Sequence, residues 1–123
     1  MTRINIGIPV KELTRLHLLA EHRELVRIPN TIRSGKAVVK DIPAQFTLGK
    51  GHVKFFYTRL KYLHDRYNEL YRECVERGYN VSDFSSAFHD LPGDLYNDYK
   101  PTKADSELVR QRISERLAAQ KEK

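Results

Sequence analysis

Apolar residues recur at helical spacing in two long stretches of the chain, and no segment shows a convincing strand alternation. In the longer stretch, Val53, Phe56, Leu60, Leu63, Tyr67, Leu70 and Cys74 keep a 3,4 alternation. That predicts one helix of about 25 residues, roughly 37 Å long, with Gly78 after Arg77 as a fitting stop. Earlier, a short opening segment, MTRINIGIP, ends at Pro9, and a helix is expected from about Val10 to Val26. On it Leu13, His17, Ala20, Glu24 and Arg27 follow a 4,3,4,3 spacing and share a face, while Leu18 and Leu25, with Leu19 nearby, form a second apolar strip. Residues 28–50, punctuated by Pro29, Asn30, Gly35, Pro43 and Gly49, read as loop. Residues 79–100 read as irregular, tethered to the helices by Tyr79, Phe84, Phe88, Tyr96 and Tyr99. Thr102 after Pro101 is a plausible N-cap for a last helix reaching about Ala119. The expectation is an all-α fold, one compact domain over residues 1–123, with three main helices and long irregular connections.

Charge adds a direction to this outline. The chain has 123 residues, enough for about two-thirds of the unfolded surface to be buried. It carries 22 Lys and Arg against 16 Asp and Glu, a net charge of +6. The excess is +5 over residues 1–50, −1 over residues 51–100 and +2 over the remainder. A basic surface built from the two ends of the chain suits a polyanion such as nucleic acid. Cys74 is the single cysteine, which excludes an intramolecular disulfide and favours a reducing setting, so a cytoplasmic location is expected. No stretch reads as a secretory signal or a membrane span. The five histidines show no zinc-ligand spacing, so neither metal nor cofactor is expected. LGKGH at 48–52 lacks the frame of a phosphate loop and reads as a helix entry.

The stretch HLLAEHRELVR, residues 17–27, concentrates the chemistry. Arg23 and Arg27 flank Glu24 at i−1 and i+3. By spacing alone they form either a surface ion-pair network, or a carboxylate held ionised by arginines whose remaining donors suit phosphate. The start MTRIN matters here. Thr2 is small enough for removal of Met1, which leaves a free α-amine with a pKa near 7.7–8.0 against about 10.4 for lysine. Arg3, Arg23 or Arg27 nearby would lower it further. Such an amine is a ready nucleophile toward an aldehyde or a developing sugar cation.

Together MTRIN at 1–5, His17, AEHREL at 20–25, LGKGHVKFFYTRLKYL at 48–63 and RECVERGYNVSD at 72–83 resemble the pyrimidine dimer DNA glycosylases, the ultraviolet-damage endonucleases typified by T-even phage. The resemblance runs in matching order over about residues 1–119. It implies an all-α fold and a bifunctional N-glycosylase and abasic-site lyase that needs no metal or cofactor. Carried over by position, it implies that the Thr2 amine attacks C1′ of the damaged nucleotide and that Glu24 supports the cationic sugar and moves a proton in β-elimination. It implies DNA contacts from Arg23 and Arg27, with Arg3 and His17 near the site. Arg112 and Arg116 fall on basic positions of the last helix. The implied partner is double-stranded DNA containing a damaged base, met by a monomer. Flipping a base in such a duplex costs a few kcal/mol, least at damaged positions.

This chain departs from the phage member in three places. Leu16 stands where that member has a polar amide, the loop between Arg27 and Gly49 is shorter, and AAQKEK replaces an aromatic, lysine-rich tail. Narrower discrimination between a dimer and a plain abasic site is therefore expected. The alternatives are an abasic-site lyase or a glycosylase for another altered base, a non-catalytic helical DNA-binding module, and a basic protein-interaction domain.

Overall fold

The computed structural model describes residues 2–121. Helices α1 (Arg15–Leu25), α2 (Arg27–Arg33), α3 (His52–Phe55), α4 (Leu60–Glu76) and α5 (Lys103–Lys121) are joined by short 3-10 turns and irregular chain, and no strand forms among the described residues. The all-α expectation is met, with α1, α4 and α5 as the three long helices.

α4 is the central helix. Its stripe of Leu60, Leu63, Tyr67, Leu70 and Cys74 is almost wholly removed from solvent, and it packs along α1 through Leu18 and Leu25. Each of those leucines contributes about 1.5–3 kcal/mol by burial. The helix ends where the sequence indicated. Gly78 takes φ +81°, its N–H bonds the Val75 carbonyl at 3.0 Å, and the Tyr79 N–H reaches back to Cys74 at 2.9 Å, a Schellman closure.

Several boundaries differ from the sequence reading, each for a local reason. The long helix expected from Val53 is broken at Arg59, which sits at φ −131°, ψ 43°. A continuous helix would pair the Thr58 carbonyl with the Tyr62 N–H. Asn97 takes both groups instead: its side-chain amide donates to Thr58 at 3.0 Å and its carbonyl accepts from Tyr62 at 3.3 Å. The first helix likewise starts late. Val10–Glu12 is a 3-10 turn, and α1 begins only after Thr14, whose hydroxyl accepts the His17 N–H. Residues 28–50 are not all loop either, because α2 runs through Pro29. That proline lies in the first turn, where its missing N–H has no helical partner to lose.

At the other end, Thr102 is the N-cap expected. Its hydroxyl accepts the Asp105 N–H at 3.1 Å, and the Asp105 carboxylate returns the bond to the Thr102 N–H at 3.0 Å. α5 then lies beside the opening segment of the chain. At Gly7, φ +75°, the two approach closely: a Cβ there would stand 2.1 Å from the Ser106 hydroxyl.

That opening segment forms no strand and turns at Ile6 and Gly7, where the Ile8 N–H bonds the Asn5 carbonyl. Ile4, Ile6 and Ile8 are buried, and its polar groups are met one by one by side chains of the helices around it. The Arg3 N–H bonds Glu24 of α1, the Ile4 N–H bonds His52 of α3, and the Gly7 N–H points to Tyr62 of α4. The carbonyls of Ile4 and Ile8 accept from Arg112 of α5 and Arg66 of α4.

Candidate active site in a basic cleft

The opening segment, α1 and α5 meet at a small cleft lined by Arg3, Asn5, His17, Ala20, Glu21, Glu24, Arg112, Ile113 and Arg116. α1 contributes one face, since His17, Ala20, Glu21 and Glu24 recur every three or four residues. α5 contributes Arg112 and Arg116, one turn apart, around Ile113. The cleft volume is about 40 Å³. That admits water but is far below the few hundred Å³ that enclose a small molecule. A nucleotide-sized group would be met at its mouth.

Glu24 is half-buried. Its Oε1 accepts the Arg3 backbone N–H at 3.1 Å, and its Oε2 lies 3.6 Å from the guanidinium of the exposed Arg23. The carboxylate therefore sits one residue from Thr2 in the chain. Around it the field is positive. Burial lowers the Arg112 pKa, with Arg3 and Arg116 adding to the shift, and burial followed by Arg116 does the same to Arg3. His17 feels the same field: burial first, then Arg116, Arg112 and Arg3, push its pKa below 6.5 and favour the neutral ring. An incoming anion would relieve this crowding of guanidinium groups, and a proton would worsen it.

Beneath the cleft lies a polar network that the sequence reading did not anticipate. Glu21 is 1% exposed and takes a two-pronged contact from Arg66, with Nε to Oε2 at 2.8 Å and Nη2 to Oε1 at 3.0 Å. Oε1 also accepts from Asn5 Nδ2 at 2.9 Å, and Asn5 Oδ1 accepts from Arg112 at 3.2 Å. Arg66, Glu21, Asn5 and Arg112 thus form one chain of bonds from α4 to α5. The sequence held one clue, a polar Asn5 inside the apolar alternation Ile4, Ile6, Ile8.

Of the residues singled out from the sequence, the cleft brings together Arg3, His17, Glu24, Arg112 and Arg116, with Thr2 beside it in the chain. Arg23 reaches it through Glu24. Arg27 is not on the shared α1 face, because the helix ends at Leu25 and Arg27 opens α2 as an exposed residue. Met1 lies outside the described residues. Gly49 and Gly51 lead into α3, with Gly51 at its N-cap, the helix entry that LGKGH suggested. His22 belongs to the core, stacked on Tyr67 at 5.2 Å. Among the described residues no three His, Cys, Asp or Glu side chains converge as a metal would require, and no helix is long and apolar enough to cross a membrane.

A larger groove of about 390 Å³ runs alongside, between Leu13 and Leu117. Its charged groups, Glu12 and Arg110, are paired with each other at 2.7 Å.

Fold and cleft together define a helical protein that holds Arg3, next to Thr2, against a carboxylate in a pocket of positive charge. The sequence model of the pyrimidine dimer DNA glycosylases matches residues 1–86, well over half of the chain. The chain belongs to this family of DNA glycosylases. The matched span takes in Thr2, Glu21, Glu24, His52 and Arg66 and ends before α5, so Arg112 and Arg116 lie beyond it.

Proposed function

We propose that the protein is a DNA-repair N-glycosylase with abasic-site lyase activity, acting on ultraviolet-induced cyclobutane pyrimidine dimers in duplex DNA. In this reading Met1 is removed and the Thr2 α-amine attacks C1′ of the damaged nucleotide. The C1′–N bond breaks, and the base departs with the bonding electrons and takes a proton. The sugar ring opens to an imine between Thr2 and C1′, with O4′ left as a hydroxyl. Loss of a C2′ proton then expels the 3′ phosphate by β-elimination, and water releases the amine. Glu24 supports the positive charge on the sugar and carries protons during the elimination. Arg3, Arg23, Arg27, Arg112 and Arg116 receive the DNA backbone, with His17 at the site. The working unit is a monomer in the cytoplasm, and no cofactor takes part.

The observation that carries this reading is the 3.1 Å bond from the Arg3 N–H to Glu24, which sets a carboxylate one residue from the proposed nucleophile. The arginines that, after burial, lower the His17 pKa line the same cleft, and positive charge beside an α-amine disfavours its protonated form.

Borohydride trapping on a duplex with one abasic site tests the nucleophile. The processed protein should form a covalent adduct, and a chain retaining Met1 or an upstream tag should form none while remaining folded. Adduct formation through a lysine of the tagged chain would refute the role of Thr2. Glu24→Gln should cut strand cleavage by at least about 10²-fold, the scale of a positioned acid–base group, and keep affinity for the duplex. Unchanged cleavage would return Glu24 to the role of ion-pair partner. Cleavage of an abasic duplex with none of a dimer duplex would favour the lyase without the glycosylase.

A further inference from the structure

His52 is 4% exposed and held between two aromatic edges, with Phe46 at 5.4 Å and Phe56 at 5.5 Å. Both of its ring nitrogens are engaged. Nδ1 lies 2.9 Å from the Thr47 carbonyl, and Nε2 lies 3.0 Å from the Ile4 backbone nitrogen. A carbonyl can only accept, so Nδ1 carries the proton and Nε2 offers its lone pair to the Ile4 N–H. Successive N–H groups of the opening segment are thus claimed by different elements, Arg3 by α1 and Ile4 by α3. Glu24 and His52 together fix the backbone two residues from the chain start.

We propose that His52 is a positioning residue: as a neutral ring accepting the Ile4 N–H, it sets the backbone of residues 2–4 so that the Thr2 amine meets C1′ in line. The inference rests on the Thr2 reading above. His52 touches neither substrate nor the reacting atoms. It acts by removing freedom that the Glu24 bond to the Arg3 N–H and the Arg112 bond to the Ile4 carbonyl leave to the segment, and misplacement by about 1 Å at a reacting centre can cost about 10²-fold in rate.

The arrangement requires the neutral ring. A proton on Nε2 would set N–H against N–H and bury a positive charge. The groups facing the ring bear this out: burial lowers its pKa, the Thr47 carbonyl opposes that, Arg112 of α5 lowers it and Glu21 of α1 raises it, with Phe46 and Phe56 uncharged. The Ile4 bond therefore holds at neutral pH and is lost on the acid side as the ring charges.

The test compares the wild type, His52→Leu and His52→Gln as full chains with Met1 removed. Maximal rates of borohydride trapping are measured at saturating abasic duplex, with circular dichroism as the check on folding and hydrogen exchange at the Ile4 amide as the check on the pin. His52→Leu, which keeps an apolar packing partner and loses the acceptor, should trap about 10- to 100-fold more slowly. Its half-saturating DNA concentration should stay within about 2-fold of the wild type, and its Ile4 amide should exchange faster. In His52→Gln the side-chain oxygen reaches the place of Nε2 and should restore the rate to within about 3-fold. A folded His52→Leu protein trapping at the wild-type rate would overturn this inference alone, and so would a His52→Gln protein as slow as His52→Leu. No adduct from the wild type would overturn the Thr2 reading and this one together. Should His52→Leu fail to fold, Ile4 protection should fall with acid in the wild type and hold in His52→Gln. Equal pH dependence in the two would overturn the proposal.

Discussion

Glu21→Gln isolates the cost of a buried charge. The substitution keeps volume and shape, so no cavity forms, but it turns one of the two atoms facing Arg66 from an acceptor into a donor. Arg66 is 5% exposed, and its other contact is the Ile8 carbonyl. Burial works against its charge, yet Glu21 more than offsets this and leaves the Arg66 pKa raised. With Glu21 neutral, that compensation is lost and a guanidinium stays in the core unpaired. Breaking such a pair costs about 3–5 kcal/mol. At about 2.1 cal/mol/K of unfolding entropy per residue, the whole chain changes Tm by roughly 4 °C per kcal/mol, so a drop of about 12–19 °C is expected. Urea unfolding followed by circular dichroism gives the free energy directly. Arg66→Met should be costly too, while Arg66→Met combined with Glu21→Leu should lose at least about 2 kcal/mol less than the two single changes summed, because neither charge is then stranded. A loss under about 1 kcal/mol for Glu21→Gln, or strict additivity in the cycle, would refute the argument that the ion pair is held together by mutual need.

The exposed Arg27→Ala and Arg116→Ala variants should weaken duplex binding for all sequences alike and lower the slope of log affinity against log salt by about one unit each; unaltered slopes would remove them from the DNA face. Arg112→Ala should differ by also lowering stability, since Arg112 is bonded to Ile4 and Asn5. His17, His22 and His52 all have folded pKa values below 6.5, chiefly through burial. The unfolded chain therefore takes up protons first as pH falls, so stability is fully present above about pH 6.5 and declines below it as pH falls through the folded values. The urea midpoint should drop between pH 7.5 and pH 5.5, and a constant midpoint would contradict the neutral burial of these rings.

The sequence revealed those features that depend on periodicity or on a local signal. The α4 stripe, the Gly78 stop and the Thr102 cap are each written within a few neighbouring residues, and the structure contains all three. The break at Arg59 could not be read that way, since it is made by Asn97, 38 residues further along than Arg59. The same limit applies to the site. Glu24, His17 and Arg3 stand out because unusual residues crowd one short stretch or the chain start. The network below them joins Asn5, Glu21, Arg66 and Arg112, single polar residues scattered over three helices and the opening segment, and no spacing rule connects them. Arg66 in particular lies beside the buried Leu63 and Tyr67, where a helical pattern suggests only packing.

The opening segment, bonded to Arg66 and Arg112, imposes an order of events during synthesis. Ile8 and Ile4 are made well before the arginines that donate to their carbonyls, which lie 58 and 108 positions later. At about 5–20 residues per second, translation leaves that segment without its final partners for roughly 5–20 seconds. On the proposed removal of Met1, this is the interval in which an aminopeptidase would act, before the helices close over Ile4 and Ile8. On that same proposal, late docking of residues 4–8 keeps processing and closure apart in time, and a substitution that let the segment dock early would leave a folded protein with Met1 uncut.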